Sequence, residues 1–323
     1  MLLATAMIII GLILLGWSAD RLVYGSASIA RNFGISPLII GMTIIAMGSS
    51  APEMMVSATA SFMGRPDTAV GNVLGSNITN IALVLGVTLL FKSLSISSTI
   101  LRREIPLLII VTGLSGWILH DAYLSFVEGI ILLLGFIGLL GALLRLGMTS
   151  RGDDPLVQEQ ASEVPDDVPT GKAILWTIVG LIVLPISAHI LVTGSTEVAR
   201  ALGMSDLVIG LTILAIGTSL PELAASIAAV RKGEDDMVIG NIVGSNLFNI
   251  LAVLGIAGTI APAELDPAAS GRDLYSMLGI TGLLVVVSYA AAKAKVLGRW
   301  FGFILLAAFI AYEILLYTSE VNV

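Results

Sequence analysis

The sequence contains no cysteine, which excludes disulfides, thiolate metal sites and cysteine nucleophiles. It contains only two histidines, His120 and His189, so metal centres that favour imidazole have little to build on. Charge is scarce as well: 12% of the residues are Asp, Glu, Lys or Arg, where a soluble domain carries about 25%. The formal net charge is −7 and there is no basic tract, which argues against nucleic acid as a partner. What the chain has in abundance is apolar surface, at 56% hydrophobic residues and a mean hydropathy of +1.00. That composition belongs to an integral membrane protein built from spanning helices.

Apolar runs predict ten such helices, near 2–24, 37–62, 69–91, 104–120, 124–147, 172–196, 206–230, 237–259, 273–292 and 296–318. The first lacks the basic n-region of a signal peptide. Its end, SADRLVYGSASIAR at 18–31, matches SAHILVTGSTEVAR at 187–200, so it is read as a permanent helix. The match is part of a larger repeat. GMTIIAMGSSAPEMMVSATA at 41–60 recurs as GLTILAIGTSLPELAASIAA at 210–229, and GNVLGSNITNIALVLG at 71–86 recurs as GNIVGSNLFNILAVLG at 240–255. Every match falls at one offset of 169 residues, without a gap.

Each copy holds five helices, an odd number, so the second must enter the membrane from the opposite side. The expected fold is all-α, two inverted five-helix repeats (1–148 and 171–323), an arrangement found in many secondary transporters. Alternate loops on one side hold twelve basic residues, among them Arg31, Lys92, Arg102, Arg103, Arg231 and Lys293; the other side holds three, Arg65, Arg200 and Arg272. By the positive-inside rule the rich side is cytoplasmic and both termini are extracytoplasmic, in the cell (inner) membrane. The stretch 149–170 is an acidic cytoplasmic linker. Its carboxylates, Asp153, Asp154, Glu159, Glu163, Asp166 and Asp167, lack the ligand spacing and central glycine of a calcium loop.

The chemistry lies in the repeat. Glu53 and Glu222 occupy equivalent places in apolar runs, where an ionisable group is costly and marks a functional site. Each follows a proline, in GSSAPE (48–53) and GTSLPE (217–222). Proline removes a helical hydrogen bond and clashes with the carbonyl four residues back, so the second and seventh helices should break there. Irregular backbone at membrane depth survives only where protein buries it or it lines a cavity. The breaks are expected to free carbonyls around Ala46–Gly48 and Ala215–Gly217, beside hydroxyls and a carboxylate, an all-oxygen set suited to hard cations. In the next helix Asn72, Ser76 and Asn80 share one face at spacing four, repeated by Asn241, Ser245 and Asn249. Gly71 and Gly75, like Gly240 and Gly244, would let a neighbouring helix approach closely. Asn77 and Asn246 lie off the stripe and read as helix–helix glue. Asp20, Glu128 and Glu313 read as residues near helix ends. Two facing carboxylates balance one divalent cation, and cations competing for one site exposed alternately to each side produce antiport.

At these residues the sequence resembles the cation/calcium exchanger superfamily, specifically the sodium/calcium exchangers of prokaryotic type. The resemblance implies exchange of cytosolic Ca²⁺ for external Na⁺, with no cofactor beyond these transported ions. It places the ions between the second, third, seventh and eighth helices, with the first and sixth sliding as a gate. Carried over by position, Glu53 and Glu222 would be shared calcium ligands. Ser49, Ser50 and Ser76 would join them from the first repeat, and Thr218, Ser219 and Ser245 from the second. Ala46 and Ala215 would offer carbonyls, and Asn80 and Asn249 would line the middle. Two positions depart from the family's pattern: Ser49 stands where threonine is common, and Asn249 where some members carry aspartate. An H⁺-coupled antiporter is the alternative within the class, and a functional monomer in the lipid bilayer is expected. An enzyme using paired carboxylates would favour aspartates in DxxxD or GxGD settings, which the repeats lack. A channel fits inverted repeats less well than alternating access does.

Overall fold

The computed structural model describes residues 2–97, 100–149, 168–202 and 215–321. The linker carboxylates between Asp153 and Asp167, and the stretch 206–214 of the expected seventh span, lie outside the described residues. The described chain is helical apart from four two-residue strands. Among the described residues seven helices are long and apolar enough to cross a membrane: Leu2–Phe33, Pro66–Phe91, Phe126–Leu143, Thr170–Ser195, Asp235–Ile260, Ala269–Ala290 and Arg299–Ser319. The pair Leu38–Ser49 and Ala51–Phe62, bent by 47°, makes an eighth if taken as one span. Two shorter helices, Ile105–Leu119 and Leu220–Arg231, fall where further spans are expected.

Glycine decides where several helices stop. Gly34, Gly64 and Gly233 have φ of 63°, 67° and 79°, the left-handed conformation that residues with a Cβ resist. After each, the next amide donates back across the helix end, Ile35 to Ala30, Arg65 to Ala60 and Glu234 to Ala229, at 2.8–3.0 Å. This is a Schellman closure, which satisfies carbonyls that the helix itself leaves open. The first helix was expected to end near residue 24. Nothing in 25–33 breaks it, and it continues to Phe33.

The helices richest in polar side chains are the most enclosed. Every residue in the apolar window of Asp235–Ile260 is buried, and 78% of that in Pro66–Phe91, against 17% for Phe126–Leu143 and for Arg299–Ser319. Hydrocarbon cannot satisfy polar groups, so these two helices sit inside and their apolar neighbours face lipid. Glycine again permits the packing. Gly240 lies under the Leu38 carbonyl and Gly244 against Met42, while Gly41 lies under the Met237 carbonyl. The long helices Leu2–Phe33 and Thr170–Ala201 run against each other, with Gly11 facing Leu191 and Gly180 facing Leu22. Adding 169 to one residue of either pair gives the partner's opposite number: Gly11 becomes Gly180 and Leu22 becomes Leu191.

Two short ladders also join the halves, although only one of their strands keeps the 169-residue offset. Leu94–Ser95 pairs antiparallel with Val296–Leu297, and Tyr123–Leu124 with Ala263–Glu264. The first ladder joins two loops expected on the basic side, the second two loops expected on the opposite side. Phe126–Thr149 starts with a capping box, in which the Ser125 amide and hydroxyl donate to Glu128 at 2.8 and 2.6 Å and the Glu128 amide donates to the Ser125 hydroxyl. Glu128 is therefore a helix-capping residue.

Candidate cation-binding site

Both expected breaks are present. In the first copy a helix ends at Ser49, Ser50 leaves helical geometry at φ −83° and ψ 9°, and a new helix starts at Ala51 with Pro52 in its first turn. In the second a short helix ends at Thr218, Ser219 sits at φ −89° and ψ 4°, and a helix starts at Leu220 with Pro221. Proline fits the first turn because no helical partner awaits its missing N–H. Glu53 and Glu222 thereby fall in the first turn of the new helices, where the exposed backbone dipoles favour an anion.

The two carboxylates are fully buried. Glu222 Oε1 accepts from the Ser50 hydroxyl at 2.8 Å and from Ser245 at 3.4 Å. Its Oε2 has no donor, and neither oxygen of Glu53 has one. Ser219 Oγ, the counterpart of Ser50, is also without a partner, as are Asn80 Oδ1 and Asn249 Oδ1. These two asparagines open π-helical stretches, Asn80–Leu85 and Asn249–Val253, a widened helix common at functional sites. The structure thus leaves six buried oxygens at this centre, two carboxylates among them, without donors. A buried oxygen left so costs about 1–3 kcal/mol and a charged one more, unless something positive completes it.

Other buried carboxylates show what completion looks like. Glu104 and Asp273 stand at the same 169-residue offset, and each receives the guanidinium of the arginine before it, at 2.6 and 2.8 Å. Asp235 takes Lys92 Nζ at 2.9 Å and the Ser95 amide and hydroxyl. Neither Glu53 nor Glu222 has such a cation among the described residues, and no cluster of three or more His, Cys, Asp or Glu residues that could hold a metal occurs there.

The remaining expected residues are placed as follows. Ser49 donates to Asn241 Oδ1 at 3.2 Å and lies 3.3 Å from the Ala46 carbonyl. That carbonyl was expected to be freed; it keeps its helical donor, the Ser50 amide, at 3.0 Å, because Pro52 removes the amide that would have reached Gly48 instead. Ser76 is buried beside this centre and Thr218 half-buried at the second break. Ala215 begins the short helix before that break. Asn72 and Asn241 act differently from their stripe neighbours. Asn72 Nδ2 donates to the Glu53 carbonyl (3.1 Å) and Ser57 Oγ (2.9 Å), and Asn241 Nδ2 to the Glu222 carbonyl (3.3 Å) and Ser226 Oγ (3.2 Å). They strap each glutamate's backbone to the adjacent helix. Ser57 and Ser226 carry no sequence signal except their shared offset.

Asp20 requires a correction. It was read as lying near a helix end, but the longer first helix places it well inside, paired with Lys232 at 2.5 Å and near Arg21 at 3.9 Å. Lys232 also lies 5.7 Å from the Tyr24 ring, so the cluster ties the first helix to the end of Leu220–Arg231.

Comparison with known proteins shows the family. The family model described as sodium/calcium exchanger protein matches residues 3–145 and 172–318, and the chain belongs to that family, whose members are membrane antiporters rather than enzymes. The chain is 54% identical to CaxA of Alkalimonas amylolytica, named as a candidate antiporter, over 99% of this chain and 100% of that one. It is 43% identical to the inner membrane protein YrbG of Escherichia coli over 98% of each chain. The solved sodium-calcium exchanger NCX_Mj, soaked with Na⁺ and Sr²⁺, superposes with a TM-score of 0.82 at 32% identity, covering 96% of this chain and 97% of its own.

Proposed function

We propose that the chain exchanges Ca²⁺ for Na⁺ across the cell membrane by alternating access, with Glu53 and Glu222 as shared ligands. One observation carries the reading: two fully buried carboxylates with no cationic side chain opposite them among the described residues, ringed by neutral oxygens. Two negative charges match one divalent cation or the monovalent ions that replace it, and an all-oxygen set suits both Ca²⁺ and Na⁺. Ser49, Ser50, Ser76, Thr218, Ser219, Ser245, Asn80 and Asn249 supply the neutral oxygens, with the carbonyl of Ala215 and that of Ala46, which the ion would share with the Ser50 amide and win from the Ser49 hydroxyl. The fold is read as ten spans in two inverted halves, 1–148 and 171–323, joined by the linker 149–170, and the chain works as a monomer. The crossed glycine seam, whose two contacts are related by the single 169-residue offset, supports that symmetry.

The site is not symmetric in detail. Ser50 reaches Glu222, whereas Ser219 does not reach Glu53. A cavity of about 440 Å³, lined by Pro52, Met55, His189, Gly217 and Thr218 among others, lies along the same corner. It sits on the flank towards Phe62 and Ala201, the extracytoplasmic side by the basic-residue rule.

Radiocalcium uptake into proteoliposomes, under outward gradients of Na⁺, K⁺ or H⁺ in turn, tests the reading. Uptake should follow Na⁺ alone. Uptake driven only by H⁺ would move the chain to the proton-coupled alternative, and absence of trans-stimulation would indicate a channel. If three Na⁺ replace one Ca²⁺, each cycle carries one net charge, worth about 2.3 kcal/mol per 100 mV. An inside-negative potential should then accelerate Na⁺-dependent Ca²⁺ efflux from preloaded right-side-out vesicles; indifference to potential would mean neutral exchange.

Protons compete for the same carboxylates. Only the ionised carboxylates hold the metal, so apparent Ca²⁺ affinity should fall as the medium is acidified through their titration and recover when pH is restored. A flat affinity across the acidic range would count against carboxylate ligation.

A further inference from the structure

Asn77 and Asn246 stand one position after Ser76 and Ser245, rotated off the face that meets the helix breaks. Both are buried, and both bond across to the other half of the chain. Asn249 Nδ2 donates to Asn77 Oδ1 at 3.2 Å, and Asn80 Nδ2 donates to Asn246 Oδ1 at 3.4 Å. Asn77 is itself held by its own amide group, which donates to the Asn246 backbone carbonyl at 3.4 Å and lies 3.6 Å from the Met277 sulfur. The order of bonds therefore runs from a backbone carbonyl, through Asn77, to the amide of Asn249. In each case the bonded end of Asn80 or Asn249 is nitrogen, and the end left without a donor is oxygen.

An asparagine amide is nearly symmetric in shape and opposite in polarity at its two ends: one offers lone pairs, the other two N–H donors. Facing a cation, the oxygen attracts and the N–H₂ repels. With two carboxylates nearby, an unrestrained amide would turn its N–H₂ towards them and present the wrong end to an incoming ion. We propose that Asn77 and Asn246 are positioning residues, which capture the nitrogen ends of Asn249 and Asn80 so that their oxygens remain available to the transported cation. The proposal rests on the reading of Glu53 and Glu222 as cation ligands and adds the device that sets the polarity of the site's two amides.

Carboxylates supply the test, because both ends of an aspartate are oxygen and no orientation needs to be held. Calorimetric Ca²⁺ binding to the purified full chain would compare Asn77→Leu, which keeps the volume but has no acceptor, in the unmodified chain and in Asn249→Asp. Asn246→Leu would be compared in the unmodified chain and in Asn80→Asp, an independent arm should Asn77→Leu not fold. Each leucine variant should weaken Ca²⁺ binding by roughly two- to tenfold, the net worth of one hydrogen bond between neutral groups. The loss should disappear in the matching aspartate background. Equal weakening in both backgrounds would show a packing role and overturn the proposal, as would unchanged affinity in a chain that binds Ca²⁺. An unmodified chain with no Ca²⁺ binding would instead overturn the cation reading itself, and the positioning role with it.

Discussion

Replacing Glu53 or Glu222 by glutamine is expected to abolish Ca²⁺ transport while leaving a folded protein. Glutamine keeps the shape and one acceptor oxygen, so the Ser50 and Ser245 hydroxyls that bond Glu222 still find a partner. What is lost is one of two negative charges facing a divalent ion in a buried site. Removing one partner of a buried charge pair costs about 3–5 kcal/mol, roughly two to three and a half decades of affinity. The apo protein should gain stability from the same change, because one of two buried carboxylates with oxygens lacking donors becomes a neutral amide. Radiocalcium flux with thermal melting in the absence of Ca²⁺ checks both halves. Normal flux at similar apparent affinity in either variant would remove the two glutamates from the site.

Gly240→Leu is expected to prevent the chain from assembling. A Cβ at this position would lie 2.5 Å from the Leu38 carbonyl oxygen and 3.1 Å from the Met42 nitrogen, both backbone atoms that cannot rotate aside. Gly240→Ala isolates the contact. Alanine gains about 1 kcal/mol over glycine in helix propensity, while overpacking costs about 1–3 kcal/mol, so the clash should win and the melting temperature should fall. Gly138→Ala, where nothing lies within 4 Å of the added carbon, should melt unchanged or higher. The comparison fails if both alanine variants behave alike.

The parts of this architecture written in local chemistry were readable before any coordinates. A proline preceded by glycine and serine announces a broken helix, and it does so twice at Ser50 and Ser219. The glutamate after each proline stands out because an apolar run makes any carboxylate conspicuous. What escaped reading depends on partners distant in sequence. Asp20 looked like a group near the membrane surface because its counter-ion, Lys232, lies in the other half. The Asn stripe was visible, but spacing alone cannot divide Asn72, which holds a backbone carbonyl, from Asn80, whose oxygen is left open. Ser57 and Ser226 are ordinary serines until an asparagine amide arrives from the next helix. The repeated pair of Glu104 and Asp273 was hidden because the residue types differ, although each keeps the arginine before it.

The crossed glycine seam along the two longest helices has the form of an isologous interface, in which residue i meets j of the other copy and the counterpart of j meets that of i. Leu191 fills the notch at Gly11, and Leu22 fills the notch at Gly180. Such a contact behaves like a lock and key cut from a single blank. A larger residue at Gly11 must be answered at Leu191, in the opposite half of the chain, and no neighbour in its own half can absorb it. The two halves can therefore diverge only as a matched set.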